Sequence, residues 1–171
     1  MRKILILLAL SAILPACEKD DEGCSGAVAE PFPAALGFGD LKAGAPEGPL
    51  GEAAPARRAV LVRNGCSGTL TVTASCVVGD ARGAYVLEGP DRDTAGPGDE
   101  IAWRVTYAPT EPEEPIDGQR PPDGAALVIL SNAKDAPVLV VPLCGRLIAD
   151  DETAGETTCA LPDLSDSPCG G

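Results

Sequence analysis

The sequence predicts an all-β protein: an antiparallel β-sandwich of about seven short strands, with an acidic tether before it and an irregular tail after it. Three observations carry this. Between Ile101 and Tyr107 the large apolar residues Ile101, Trp103, Val105 and Tyr107 alternate with Ala102, Arg104 and Thr106, a period of two that gives a strand one buried face. The same period recurs in Thr69 to Val77, with Leu70, Val72, Ala74 and Cys76 on one face and Thr69, Thr71, Thr73 and Ser75 on the other. Finally, 20 Gly and 17 Pro punctuate a chain that is 44% hydrophobic but only 3% aromatic. Such a chain has many turns and a core of Val, Leu, Ile and Ala, which disfavours both long helices and disorder.

The elements follow in order. Met1, Arg2 and Lys3 precede an apolar run from Ile4 to Leu14 that only Ser11 interrupts. The run is well short of the roughly 20 residues a spanning helix needs, and reads as an export signal. Leu14-Pro15-Ala16-Cys17 resembles the lipobox of bacterial lipoproteins, with Pro15 where Ala or Ser is usual. The resemblance implies cleavage before Cys17, a diacylglyceryl group on its thiol and acylation of the new amine. The alternative is a plain secretory signal followed by an incidental cysteine. Two or three acyl chains make a stable anchor where one is marginal. A bacterial envelope address follows, with the outer membrane expected and the domain facing the periplasm or the cell surface.

The boundaries read from the sequence are 1–16 for the signal, 17–32 for the tether, 33–147 for the sandwich and 148–171 for the tail. The tether carries Glu18, Asp20, Asp21 and Glu22 without apolar periodicity. These carboxylates lack the glycine-punctuated alternation of a calcium-binding loop, so a solvated linker is expected. With 26 acidic against 13 basic residues and a formal net charge of −13, the chain repels nucleic acid and anionic headgroups.

The strands are expected at Ala35 to Lys42, bent at Gly37 and Gly39; at Ala59 to Arg63, closed by Asn64-Gly65; and at Thr69 to Val77. They continue at Ala84 to Glu88, Ile101 to Tyr107, Ala125 to Leu130 and Val138 to Leu143, the last two aliphatic enough to be central. Between Ala108 and Asp123 lies a connection with Pro109, Pro112, Pro115, Pro121 and Pro122 and one basic residue, Arg120. Its prolines make it extended and exposed, either a tolerated insertion or a ligand-facing loop.

Gly37-Phe38-Gly39, Gly44, Val62-Arg63-Asn64-Gly65 and Leu70, then Val105-Thr106-Tyr107-Ala108-Pro109, Ser131-Asn132 and Val141-Pro142-Leu143 with Gly145, resemble the immunoglobulin-like domains of the ASH (hydin-like) and choice-of-anchor D type. Tyr107 stands where phenylalanine is usual. The resemblance covers about residues 33–147 and implies a scaffold or interaction module, with no catalytic residue to carry over.

Seven cysteines leave six once Cys17 is lipidated, which suggests three disulfides in an oxidising compartment. A Cys66–Cys76 bridge is excluded, since a strand between them would separate them by on the order of 30 Å. In an immunoglobulin-like sandwich the third and seventh strands run the same way, which favours Cys76 with Cys144. Cys159 and Cys169 frame a short tail loop, and Cys24 is left with Cys66.

Without His there is no imidazole base for a serine or cysteine triad. Gly65-Cys66-Ser67-Gly68 falls one residue short of a nucleophile elbow, and Gly37, Gly39 and Gly44 precede no helix that could cradle a dinucleotide. Asp91, Asp93, Asp99 and Glu100 read as a solvated loop, although they could bind calcium or serve as paired acids. No catalytic residue, metal ligand or cofactor site is assigned. The function expected is that of a non-enzymatic, membrane-anchored envelope lipoprotein acting as a protein-interaction or structural module. The alternative is a lipoprotein that binds a cation or small ligand through its acidic loops.

Overall fold

Alternation decides which side chains are buried. The computed structural model describes residues 24–42, 56–110, 113–116, 120–149, 151–162 and 169; Cys17 and the lipobox lie outside the described residues. Ile101, Trp103, Val105 and Tyr107 are fully buried on one face of a strand, and on another Leu70 is fully and Val72 largely buried. The rest of that second row needs correction: a register shift between Val72 and Ala74 turns the faces over, so Ser75 faces the core opposite Ile129 and Cys76 faces outward opposite Val128. Trp103 also satisfies its one polar group, the indole N–H, which donates to Ser75 Oγ at 3.1 Å.

Nine strands and no helix are present among the described residues: β1 Ala29–Phe32, β2 Leu36–Lys42, β3 Ala56–Asn64, β4 Leu70–Val78, β5 Tyr85–Glu88, β6 Thr94–Ala95, β7 Glu100–Tyr107, β8 Asp123–Ser131 and β9 Val138–Ile148. They form a four-stranded sheet in the order β1-β3-β7-β5 and a five-stranded sheet in the order β2-β9-β8-β4-β6. Val60, Val62, Ile101 and Trp103 of the first share one apolar cluster with Leu70, Leu127, Ile129 and Leu143 of the second. Each such side chain contributes about 1.5–3 kcal/mol on leaving water. The three rings Phe38, Tyr85 and Tyr107 pack together with centroids 5.0–5.7 Å apart.

The expectation of an antiparallel sheet throughout needs correction. Strands β2 and β9 pair in parallel, from Leu36 opposite Leu143 to Lys42 opposite Ile148, with a bulge between Gly37 and Gly39. Alternation fixes a strand's faces and leaves the direction of its neighbour open when no short turn joins the two. The strand count also rises, by β1 and β6.

The tether boundary shifts too. Cys24 is bonded to Cys66, Ala27 and Ala29 are buried, and β1 pairs with β3. The folded domain therefore includes residues 24–32, which the sequence reading gave to the tether.

The other two bridges are Cys76–Cys169 and Cys144–Cys159, so the expected pairs Cys76–Cys144 and Cys159–Cys169 are not formed. Strand β8 lies between β4 and β9. Cys76 stands opposite Val128 and Cys144 opposite Gly124. That puts them two strand spacings, about 10 Å, apart across the sheet and about 13 Å along it, beyond the reach of a disulfide. Each sulfur instead takes a partner from the tail. Ile148, which the sequence reading gave to the tail, ends β9; beyond it the tail has no helix or strand among its described residues, yet it is pinned to the sheet. Ala126, Val128 and Cys144 point away from the core by their parity and are nonetheless fully buried.

Candidate functional site

Strands β2 and β9 bring one charged pair together. Their parallel register sets Asp40 beside Arg146, and the guanidinium forks onto the carboxylate with Nε to Oδ1 at 2.9 Å and Nη2 to Oδ2 at 2.7 Å. The tail adds two donors to the same carboxylate, Gly155 N–H to Oδ2 at 2.7 Å and Thr157 Oγ1–H to Oδ1 at 2.9 Å. These contacts, led by Arg146, hold the Asp40 carboxyl below its ordinary pKa.

Arg120, from the proline-rich connection, forms the second anchor. Its Nε donates to both Glu152 oxygens at 2.9 and 2.8 Å, and its Nη1 donates to the Glu113 carbonyl. Glu152 also accepts the Ala149 N–H at 2.7 Å. Two adjoining hollows, about 390 and about 460 Å³, lie between the connection and the tail and share Arg120, Arg146 and Glu156. Pro121, Pro122 and Ile116 wall the larger one. Both guanidiniums on its floor are matched by carboxylates. The arrangement therefore clamps connection, tail and sheet together.

Beneath it lies a buried carboxyl. Asp123 opens β8 and accepts a hydrogen bond from Tyr107 Oη–H, while Tyr85 Oη–H donates to the Asp123 carbonyl at 2.6 Å. Arg82 Nη1 stands 3.6 Å from Asp123 Oδ1 and 3.3 Å from Glu113. Burial outweighs these partners and raises the Asp123 pKa; burial likewise pushes the Tyr85 and Tyr107 hydroxyls above their ordinary range.

The candidates named from the sequence are placed as follows. Cys24, Cys66, Cys76, Cys144, Cys159 and Cys169 all lie in bridges. Asp91 Oδ1 accepts the Ala102 N–H at 2.9 Å and ties its loop to β7. The Asp93 and Asp99 carbonyls accept from Val72 and Asn64. Ser67, in the elbow-like turn, donates to the Cys24 carbonyl at 2.9 Å. Among the described residues no three His, Cys, Asp or Glu side chains converge to hold a metal ion.

Asp40, Arg146, Glu152 and Asp123 were not singled out by the sequence reading. The available signals were a charge set inside an otherwise apolar strand, at Asp40, and the solitary arginine of an acidic connection, at Arg120. The three bridges place the folded chain in an oxidising, extracytoplasmic compartment. Among the described residues no helix is long and apolar enough to cross a membrane.

No protein-family model and no curated protein matches the sequence. Among solved structures, a protein of unknown function from Porphyromonas gingivalis W83 is similar, with a TM-score of 0.53 and 20% identity over 72% of this chain and 48% of that one. The chain thus spans about half the length of that protein, and the likeness is one of fold. The secreted serine protease VesC from Vibrio cholerae matches at a TM-score of 0.44 and 15% identity, over 75% of this chain and 24% of the protease. The periplasmic chaperone SfaE matches at 0.44 and 15%, over 70% of this chain and 59% of the chaperone.

Proposed function

We propose that the chain is a lipid-anchored lipoprotein of the bacterial envelope, whose immunoglobulin-like sandwich is a non-enzymatic module for protein contacts. The observation that carries the anchor is cysteine accounting. Three bridges take six of the seven cysteines, and the seventh is Cys17, the residue at which a lipobox is acylated. The covalent fold begins at Cys24, so only the six residues Glu18 to Gly23 separate anchor from domain. The charged side chains of the clamp are taken up in holding connection, tail and sheet together, which supports a binding or structural role over catalysis. No observation favours the cation-binding alternative.

Cys17→Ser tests the anchor. The variant is expected in the soluble fraction with its three bridges intact, and wild-type partitioning into membranes would overturn the reading. Crosslinking of the detergent-solubilised lipoprotein, followed by co-purification, tests the contact role. Recovery of the chain without any stoichiometric companion counts against it.

A further inference from the structure

The outer faces of the two sheets differ. That of the five-stranded sheet carries the two bridges to the tail, and its outward residues Ala126 and Val128 are fully buried. That of the four-stranded sheet is largely uncovered among the described residues. Phe32 is 74% exposed at its edge and stands opposite Leu61, and the two help to line a hollow of about 300 Å³. Further across the face Val86 is 51% exposed.

Charge separates the faces as well. The tail from residue 148 to 171 contains six carboxylates and no basic residue. On the four-stranded sheet, Arg57, Arg63 and Arg104 are exposed with the parity opposite to that of the core-facing Val60 and Val105. Glu30, Glu88 and Glu100 stand opposite or beside them in register, and Arg57 pairs with Glu88 at 3.4 Å. That face is close to neutral on a chain of net charge −13.

The link to the anchor is short. Seven Cα steps from Cys17 to Cys24 reach at most about 25 Å, less than the length of a nine-residue strand, about 30 Å. The chain then leads into β1, the edge of the open sheet.

We infer that the open face of the four-stranded sheet, with Phe32 at its edge, docks on the headgroup region of the phospholipid bilayer that holds the anchor. This rests on the lipid-anchor reading above. Phe32 supplies apolar area at the interface, and the arginines lay their stems on the surface and turn their guanidiniums to phosphate oxygens. The described acidic residues of the tail, Asp151, Glu152 and Glu156, belong to the segment bridged to the opposite sheet and are then held away from anionic lipid, the orientation with least repulsion.

The test uses the full lipidated chain in vesicles of phosphatidylethanolamine and phosphatidylglycerol with brominated acyl chains. Phe32→Trp is compared with Val138→Trp, a residue 45% exposed on the other sheet. Both positions lie outside the core, and the emission of the buried Trp103 is subtracted using the wild-type chain. Docking predicts that the tryptophan at 32 loses most of its emission to bromine while that at 138 keeps its own. A chain that floats with the vesicles yet is unquenched at 32, or quenched equally at both positions, overturns the docking and leaves the anchor standing. A chain that does not float with the vesicles overturns the anchor and the docking with it.

Discussion

The ring of Tyr107 packs against the backbone of Gly145 so closely that a Cβ at position 145 would stand 2.7 Å from Cδ1 and 2.8 Å from Cζ. The ring has little room to retreat. Its hydroxyl is bonded to Asp123, and its face lies against Phe38 and Tyr85. Gly145→Ala should therefore destabilise the domain by about 1–3 kcal/mol, the usual cost of overpacking. Urea denaturation measures this, and an unchanged midpoint would mean that the aromatic cluster slides to make room.

Asp40 and Asp123 should respond to acid in opposite directions. Asp40 has its carboxyl pKa lowered in the folded state, so its contribution is fully present above the ordinary value of 3.8 and is lost as pH falls through the lower folded value. Asp40→Asn should cost about 2–3 kcal/mol at neutral pH, because Arg146 loses its charged partner; the figure is set below that of a fully buried pair. Chemical denaturation from neutral pH down to about 3 should show the gap to wild type closing.

For Asp123 the sign reverses. The folded carboxyl holds its proton to a higher pH than the unfolded one, so wild-type stability falls relative to Asp123→Asn as pH rises above 3.8. Parallel stability curves for the two proteins between mildly acidic and neutral pH would show that Arg82 and Tyr107 offset the burial fully.

Much of the fold could be read from the sequence, because alternation is a local property. Strand β7 stands where its apolar row puts it, and Trp103 is fully buried, as its position in the row requires; β4 follows its row only as far as Val72, because a local register shift, which simple alternation does not reveal, turns the faces over beyond it. What could not be read depends on neighbours that are distant in sequence. The parallel partner of β2 lies about a hundred residues away, and nothing in Leu36 to Lys42 names β9. Strand β1 is four residues long, with Pro31 inside it and Pro33 just beyond, a composition that reads as linker. Asp123 sits at the end of an acidic stretch whose other carboxylates mask it. Cysteine content indicated three bridges, but their pairing depended on β8 lying between Cys76 and Cys144.

The bridges should differ in their value to stability. In the chain-entropy account a bridge stabilises more the longer the loop it closes, and the loops here span 93 residues for Cys76–Cys169, 42 for Cys24–Cys66 and 15 for Cys144–Cys159. Paired alanine substitutions should cost about 4–5 kcal/mol for the longest loop and about 3 kcal/mol for the shortest. Thermal unfolding of the three double variants gives the ranking. If loss of Cys144–Cys159 costs most, local packing around the fully buried Cys144 outweighs the entropy of the unfolded chain.

Asn64 carries the last prediction. As the first residue of an Asn-Gly turn it would ordinarily face solvent, but it is fully buried. Its Nδ2 donates to the carbonyls of Gly68 at 2.5 Å and Ala95 at 3.1 Å. Its Oδ1 accepts from the backbone N–H groups of Cys66 at 3.3 Å and Val28 at 3.4 Å. One side chain thus ties the segment before β1, the turn after β3 and strand β6 at a single point. Asn64→Ala leaves these backbone groups short of partners, at about 1–3 kcal/mol for each one that water does not reach. Asn64→Asp keeps the acceptor and loses the donor, so it should be destabilised to an intermediate degree. Hydrogen exchange at Val28 and Cys66 separates the two losses. Both amides should exchange faster in Asn64→Ala and remain protected in Asn64→Asp, and equal exchange in the two variants would mean that the donor side alone holds the hub together.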